Sequence, residues 1–208
     1  MSDVDITAAA GGSRQELRRE MRRARRRLPQ RMQRRAAQCL LRALTRAPLW
    51  RNVRHLAAFA SADGEPDLWP LMHAAHRAGR QIYLPVVTAA GAPLSFRQWW
   101  PGQRLTDNRF GIPEPPADAP RRPARHLDVV LTPLVAFDAT GNRLGMGGGF
   151  YDRTFAFLHR RRRWHHPRLI GIAHAFQQVP SLSTEPWDVP LWGVLTPEAL
   201  RRFPLRGH

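Results

Sequence analysis

An apolar run, Leu127-Asp-Val-Val-Leu131, is followed along the chain by the glycine-rich segment Arg143-Leu-Gly-Met-Gly-Gly-Gly-Phe-Tyr-Asp152. The apolar run predicts a buried strand, and residues 150–163 predict an amphipathic helix. Glycines between a strand and a helix let the backbone approach an anion closely, and the N–H groups at the helix N-terminus would face that anion. We therefore expect an α/β fold with a phosphate-binding loop, the alternative being a tight turn without a ligand.

The glycine-rich segment departs from two common phosphate-binding motifs. Counted from Gly145, the last position of a G-x-G-x-x-G dinucleotide fingerprint is occupied by Phe150. A Walker loop needs a lysine, whereas all 33 basic residues of this chain are arginines. The lack of lysine also excludes Schiff-base chemistry. Arg143 is instead suited to donate hydrogen bonds to phosphate oxygens.

Short apolar runs alternate with helical stretches on both sides of this segment. The predicted strands span 55–60, 81–87, 94–99, 127–131, 168–173 and 191–195. Continuous rather than alternating apolar residues indicate a mostly parallel sheet that is covered on both faces. We expect a three-layer α/β fold, with a helix from residue 67 to 78 and a long surface loop from 101 to 125.

A pair of basic helices is predicted ahead of the sheet. The first covers residues 14–27, with Ser13 as N-cap and Glu16 in the capping-box position. Pro29 separates it from a second helix that ends near Thr45. The N-terminal helical pair carries much of the charge of the chain.

The charge of these helices also suggests a different class of function. Between Arg14 and Arg54 fifteen arginines stand against Glu16 and Glu20, and the whole chain has a formal net charge of +17. Such a surface can follow a nucleic-acid backbone, so an arginine-rich nucleic-acid-binding protein is the alternative to an enzyme. Because that alternative leaves the glycine-rich segment without a role, we favour the enzyme. The simplest interpretation of the arginines is a solvated helical face.

Length and composition set the remaining expectations. The chain has 208 residues, of which 43% are hydrophobic, and this suits one domain with a buried core. We expect a single domain over residues 13–208 and a flexible N-terminus over residues 1–12. No run approaches the ~18 apolar residues that a membrane span requires. Residues 1–12 also lack the features of a signal peptide, so a cytoplasmic protein is expected.

Carboxylates stand where a substrate or a metal could bind. Glu65 follows the first predicted strand, at the edge that borders the ligand crevice in open α/β sheets, although it could equally be a solvated loop residue beside an N-capping Asp67. Asp152 could bind Mg²⁺ beside substrate phosphates, or it could interact with the helix dipole. Asp188 precedes a strand and is by itself an ordinary turn residue.

The run from Leu131 to Arg153 resembles the signature of the 5-formyltetrahydrofolate cyclo-ligase family. The basic N-terminal helix, the Glu65-Pro-Asp67 loop and the stretch from residue 171 to 190 agree with that family in order and spacing. The resemblance implies an ATP- and Mg²⁺-dependent closure of 5-formyltetrahydrofolate to 5,10-methenyltetrahydrofolate by a protein that we expect to be a monomer. ATP would phosphorylate the formyl oxygen, and the nitrogen at folate position 10 would then close the ring and release phosphate.

The resemblance also implies roles for individual residues. Arg143 and Tyr151 would be catalytic, and Asp152 and Asp188 would bind Mg²⁺. The nucleotide would contact Arg14, Arg18, Arg143, Leu144, Gly145, Met146, Gly147, Gly148, Gly149, Phe150 and Tyr151. The folate would contact Ala60, Glu65, Met146, Gly147, Gly148, Gly149 and Phe150. Arg14 stands where the family has a lysine, so the charge is kept on a bulkier, planar group.

Overall fold

The computed structural model describes residues 13–160 and 166–204. Residues 1–12, predicted to be flexible, and the end of the helix predicted to reach residue 163 lie outside these ranges. Helix α1 spans Arg14–Arg27 and helix α2 spans Gln30–Arg46. The predicted capping box is confirmed, because Ser13 Oγ accepts from the Glu16 N–H and the Glu16 carboxylate accepts from the Ser13 N–H.

Helix α3 spans Trp69–Arg77, and helix α4 spans Phe150–Phe155 and continues as a 3₁₀ turn over Ala156–Arg160. The strands in chain order are β1 (His55–Ala57), β2 (Gln81–Val86), β3 (Ser95–Trp99), β4 (Thr106–Asp107), β5 (Pro113–Glu114), β6 (Arg121–Arg122), β7 (Val129–Pro133), β8 (Ala136–Phe137), β9 (Arg143–Leu144), β10 (Arg168–Ile172), β11 (Gly193–Leu195) and β12 (Leu200–Arg202). None of the helices in the described ranges combines the length and apolarity that crossing a membrane would take.

Within the described residues, a mixed eight-stranded sheet has the order β12-β11-β10-β7-β1-β2-β3-β6. The middle strands β11, β10, β7, β1 and β2 pair in parallel, and β12, β3 and β6 join antiparallel at the edges. From β1 the chain first adds β2 on one side and later adds β7, β10 and β11 on the other side, so the order of connection switches sides between β1 and β7 although the strands stay parallel. In open sheets of this kind ligands bind at the carboxyl ends of the strands beside such a switch point.

Apolar side chains cover both faces of this sheet. Leu56, Leu131 and Ile170 pack in one cluster with residues of α2 and α3, such as Leu40 and Leu71. Their sequence neighbours face the other side, where a second cluster includes Phe155 of α4. The predicted three-layer α/β fold is therefore confirmed. Burial on both faces explains why these strands are continuous apolar runs rather than alternating ones.

The structure corrects the prediction of one long surface loop over residues 101–125. Strand β6 extends the central sheet, and β4 and β5 form a small hairpin. Glu114 accepts hydrogen bonds from the Val87 N–H at 2.9 Å and the Asn108 side-chain amide at 2.6 Å, which ties the hairpin to the end of β2. Strand β12 was also missed. Strands of two or three residues are too short to produce a readable pattern of hydrophobicity.

Two helix boundaries differ from those predicted. Helix α3 begins at Trp69 with Leu68 as N-cap, while the Asp67 carboxylate accepts from the Trp69 N–H at 2.9 Å. Helix α4 has six residues, so its dipole is small. Anion binding next to it must therefore depend on the glycine backbone and on arginines more than on a long helix.

Candidate active site

One face of α1 carries arginines that reach the carboxyl edge of the sheet. Arg14, Arg18, Arg22 and Arg25 are spaced by three or four residues, which places them on the same side of a helix. Arg14 Nη2 lies 3.5 Å from Asp188 Oδ2, and Arg18 Nε donates to the Gly145 carbonyl at 2.8 Å. The first two turns of α1 thus contact both the glycine-rich segment and Asp188.

The glycine-rich segment is the turn between β9 and α4. Gly147 and Gly149 have φ values of 98° and 63°, which side chains other than glycine rarely adopt. Strand β9 begins at Arg143, which pairs with Phe137 in a β-hairpin, and its Leu144 is buried. Met146, by contrast, is half exposed. The segment is therefore anchored at its start and open to solvent at its glycines.

Arg143 is a buried cation at the base of this turn. Its Nη2 lies 2.5 Å from Asp152 Oδ1, and its Nη1 donates to the Val189 carbonyl. Asp152 Oδ1 also accepts from the Val189 N–H at 3.2 Å. Burial lowers the pKa of Arg143, and the charges of Asp152 and Asp188 oppose that shift. Since arginine stays protonated in proteins, a fixed positive charge lies between the glycine turn and residues 188–189.

Asp152 and Asp188 approach each other from separate parts of the chain, because the Val189 N–H next to Asp188 binds Asp152. Asp188 Oδ2 accepts from the Glu185 N–H at 2.9 Å and pairs with Arg14. Among residues 13–160 and 166–204, no group of three or more His, Cys, Asp or Glu side chains could hold a metal ion. Mg²⁺ commonly uses one or two carboxylates together with phosphates and water, and this pair fits that mode.

Glu65 lies beyond the carboxyl end of β1, beside the switch point. Its side chain is 12% exposed, with Oε2 accepting from the Ala62 N–H at 3.0 Å and Oε1 lying 3.6 Å from Arg25 Nη1. Burial raises the pKa of Glu65, while the Ala62 N–H and Arg25 act to lower it. Ala60, the other predicted folate contact in this loop, is buried. A poorly solvated carboxylate at this place is suited to bind N–H donors of a ligand.

Tyr151 lies near charged groups from both parts of the site. Burial of its hydroxyl raises its pKa above the usual range, the charge of Glu65 adds to the rise, and Arg143 opposes it. The hydroxyl is therefore protonated at neutral pH and is able to donate a hydrogen bond. Phe150, also predicted in the site, is partly buried and makes an edge-on ring contact with Phe110, with 6.4 Å between the ring centroids.

Sequence reasoning missed a buried polar cluster beneath the Glu65 loop. Arg25, assigned to a charged helical surface, is 1% exposed. Asp63 binds it, and His174 Nε2 lies 3.1 Å from the Gly64 carbonyl. Burial lowers the pKa of His174. The spacing held one usable signal, because Arg25 follows Met21 by four residues and Met21 is the apolar, buried position of α1.

Gly64 brings this loop into direct contact with the backbone of α1. A Cβ added to Gly64 would lie 2.7 Å from the Arg25 carbonyl carbon and 2.8 Å from its oxygen, and the φ of Gly64 is 75°. We expect Gly64→Ala to lower the free energy of unfolding by about 1–2 kcal/mol through left-handed strain. The displaced helix should add about 1–3 kcal/mol.

Denaturant unfolding of Gly64→Ala and Gly91→Ala checks this prediction. Gly91 has a nearly identical φ of 74°, and a Cβ there would have no neighbour within 4 Å among the described residues. The matched variant therefore carries the strain without the contact. Equal losses in the two variants would contradict a close approach of the loop to α1.

Comparison with known proteins places these features in a family. Residues 10–197 match the sequence profile described as the 5-formyltetrahydrofolate cyclo-ligase family. The chain is 43% identical over 164 residues to the 5-formyltetrahydrofolate cyclo-ligase of Escherichia coli, which covers 77% of this chain and 86% of the relative. It is 40% identical over 149 residues to the enzyme of the same name from Haemophilus influenzae, covering 70% and 76%.

A solved structure agrees with the sequence comparisons. The NMR structure of Aquifex aeolicus 5,10-methenyltetrahydrofolate synthetase superposes with a TM-score of 0.78 at 29% identity. The superposition covers 94% of this chain and 97% of the other. The similarity thus extends over nearly the whole of both chains.

Proposed function

The chain belongs to the 5-formyltetrahydrofolate cyclo-ligase family, and we propose that it converts 5-formyltetrahydrofolate to 5,10-methenyltetrahydrofolate with ATP as co-substrate and Mg²⁺ as the metal. One observation carries the proposal. Arg18 contacts the glycine turn, and Arg143 at its base pairs with Asp152, which also accepts from the Val189 N–H next to Asp188. Tyr151, beside Asp152, lies near enough to Glu65 and Arg143 for their charges to act on its hydroxyl. A nucleotide phosphate and a reduced folate would meet at this place.

The proposed chemistry requires alignment and charge neutralisation more than it requires a protein nucleophile. A formyl oxygen is a poor leaving group, so ATP would transfer its γ-phosphoryl group to that oxygen, with ADP leaving. The nitrogen at folate position 10 would then attack the formyl carbon and expel the oxygen as inorganic phosphate. Arg18, Arg143 and the open glycine backbone supply donors for the phosphate oxygens. Asp152 and Asp188 would hold Mg²⁺, which when bound would reduce the negative charge of the nucleotide phosphates.

On the folate side, Glu65 and Tyr151 have different tasks. Glu65 accepts N–H donors of the pterin ring in a poorly hydrated position, where such a hydrogen bond is strong. Tyr151 stays protonated and donates to an oxygen of the formyl or phosphoryl group rather than acting as a base. The exposed Met146, followed by the open glycines, borders the same region and would pack against the ring system.

The contacts of the α1 arginines weaken the alternative hypothesis of a nucleic-acid-binding protein. Several of the arginines that suggested it have partners in the fold. Arg14 and Arg18 contact Asp188 and Gly145 of the site. Arg22, Arg25 and Arg26 pair with Asp63 in the loop that carries Glu65. Their charges form ion pairs and hydrogen bonds that join α1 to its neighbouring loops. Others, such as Arg23 and Arg35, are exposed, which is typical of a solvated helical face.

The proposal is tested by mixing the purified protein with 5-formyltetrahydrofolate, ATP and Mg²⁺. We expect the absorbance of 5,10-methenyltetrahydrofolate to rise in an ATP-dependent way, with one ADP and one phosphate released per product. Omission of ATP or chelation of Mg²⁺ should abolish the signal. A folded protein that gives no ATP-dependent signal, or that binds RNA with a steep salt dependence instead, would contradict the proposal.

A further inference from the structure

Arg25 bridges the two sides of the switch point in the sheet. Its Nη1 donates at 3.1 Å to the carbonyl of Leu134, which follows β7, and its Nη2 donates at 3.0 Å to Asp63 Oδ2, in the loop after β1. A guanidinium that is 1% exposed carries a desolvation cost of several kcal/mol, which an apolar side chain would avoid. Its presence at the edge of a ligand crevice therefore indicates a task beyond packing.

Asp63 holds Arg25 from the solvent side. Asp63 Oδ2 also accepts from Arg22 Nε at 2.6 Å, and Asp63 Oδ1 contacts Arg26 Nε. Burial would raise the pKa of Asp63, but the hydrogen bonds from Arg22 and Arg26 outweigh it, so the pKa lies below its ordinary value. Asp63 also has a φ of 52°, which is uncommon outside glycine, and these contacts stabilise that conformation.

The same guanidinium reaches the carboxylate assigned to the folate. Arg25 Nη1 lies 3.6 Å from Glu65 Oε1, and the Ala62 N–H holds Glu65 Oε2 at 3.0 Å. Between Asp63 and Glu65, Gly64 lies against the backbone of Arg25. The loop and α1 are thus joined both by charge and by direct packing, so the position of Glu65 depends on where α1 holds Arg25.

We propose that Arg25 is a positioning residue for Glu65, and that Asp63 fixes Arg25 in the orientation this requires. The proposal rests on the proposed function, because the role of Glu65 in folate binding is part of that function. Arg25 acts through Glu65 and does not contact the substrate. Its loss should therefore weaken folate binding more than it affects ATP.

The pH dependence of folate binding distinguishes this role from simple packing. The titratable and charged groups around Glu65 are Arg25 from α1, Asp63 in its own loop and Tyr151 from α4, with His174 on the far side of Gly64. Burial and Asp63 raise the pKa of Glu65, whereas Arg25 lowers it. Removal of Arg25 leaves the influences that raise the pKa, so Glu65 should become protonated, and folate affinity should fall, at a higher pH than in the wild type.

The experiment measures the Kd of 5-formyltetrahydrofolate calorimetrically between about pH 5 and pH 8, without ATP, on the full chain. We expect Arg25→Gln to weaken binding on the order of tenfold at pH 7, because the loss of one partner of a buried ion pair leaves the other charge unpaired. The pH midpoint of the affinity loss should move upward, and the KM for ATP should stay within about twofold. Arg25→Lys keeps the charge and should restore the midpoint.

Arg22→Gln is the matched control, because Arg22 binds the same Asp63 oxygen but forms no ion pair with Glu65 among the described residues. It should keep the wild-type midpoint. Glu65→Gln should abolish the pH-dependent part of binding. A folded Arg25→Gln with the wild-type midpoint would overturn the proposal, and so would an equal shift in Arg22→Gln. A wild type that does not bind folate would instead refute the proposed function.

Asp63→Asn provides a second test that does not require Arg25 to be changed. If Asp63 acted on Glu65 merely as a nearby negative charge, its loss would lower the pKa of Glu65 and extend folate binding to lower pH. If Asp63 orients Arg25, its loss should instead weaken folate binding across the whole pH range, at pH 8 as well as at pH 5. Unweakened binding at pH 8 would contradict the positioning role.

Discussion

Arg143→Met should lower kcat on the order of 1,000-fold, the effect commonly seen when an arginine that faces a transferred phosphoryl group is removed. The buried guanidinium donates to the Val189 carbonyl and to Asp152, and water has little room to take its place. Arg143→Lys keeps the charge but replaces a planar fork by a single ammonium, which cannot hold both partners in the same geometry. We expect this variant to retain more activity than the methionine variant.

The same substitution should also lower stability, and the two effects need separate measurements. Loss of one partner of a buried ion pair costs about 3–5 kcal/mol, so the free energy of unfolding should fall measurably in Arg143→Met. Activity is therefore compared well below the unfolding temperature, at saturating substrates. Arg42→Gln, at an exposed position of α2, is the control that should change neither quantity. A folded Arg143→Met with near-normal kcat would remove Arg143 from the catalytic groups.

Asp188→Asn should raise the Mg²⁺ concentration for half-maximal activity by at least about tenfold, since even residues that merely support a metal ligand contribute on that scale. Asp188 is the cleaner test of the metal site. Asp152 also pairs with the buried Arg143 and accepts from the Val189 N–H, so its substitution mixes metal loss with destabilisation. Asp188 is instead paired with the partly exposed Arg14.

Glu185→Gln is the matched control for this prediction. Glu185 is a neighbour of Asp188, and its Oε1 lies 3.8 Å from Arg14 Nη1. The substitution leaves the Glu185 backbone N–H, which binds Asp188, unchanged. Its Mg²⁺ titration should follow that of the wild type. If Asp188→Asn showed an unchanged Mg²⁺ titration, Asp188 would bind Arg14 without binding the metal.

Several features were predictable because they depend on neighbours in sequence. Helix α1 starts at a capping box formed within residues 13–16, and it ends ahead of Pro29. The central strands β7 and β10 are apolar on both faces, so their sequences identify them without knowledge of their partners. The glycine turn could be recognised because positive φ at Gly147 and Gly149 needs that residue type.

Other features could not be read from the sequence, because they depend on how short segments meet. Strands β6 and β12 have two and three residues, and they exist through the neighbouring strand to which each is bonded. The direct pairing of Asp152 with Arg143 required the hairpin of β8 and β9 to return the chain to α4. From the sequence alone, Asp152 could be either a metal ligand or a residue that interacts with the helix dipole.

The class of fold, the glycine turn and the residue types that surround it could be predicted from the amino-acid sequence, since each follows from local conformation or from continuous burial. Only the tertiary structure shows which groups the α1 arginines bind. Arg18 binds Gly145, 127 positions away, and Arg25 binds Leu134, 109 positions away. Helical spacing places Arg25 on the Met21 side of α1, but the partners that allow its charge to be buried are supplied by distant segments.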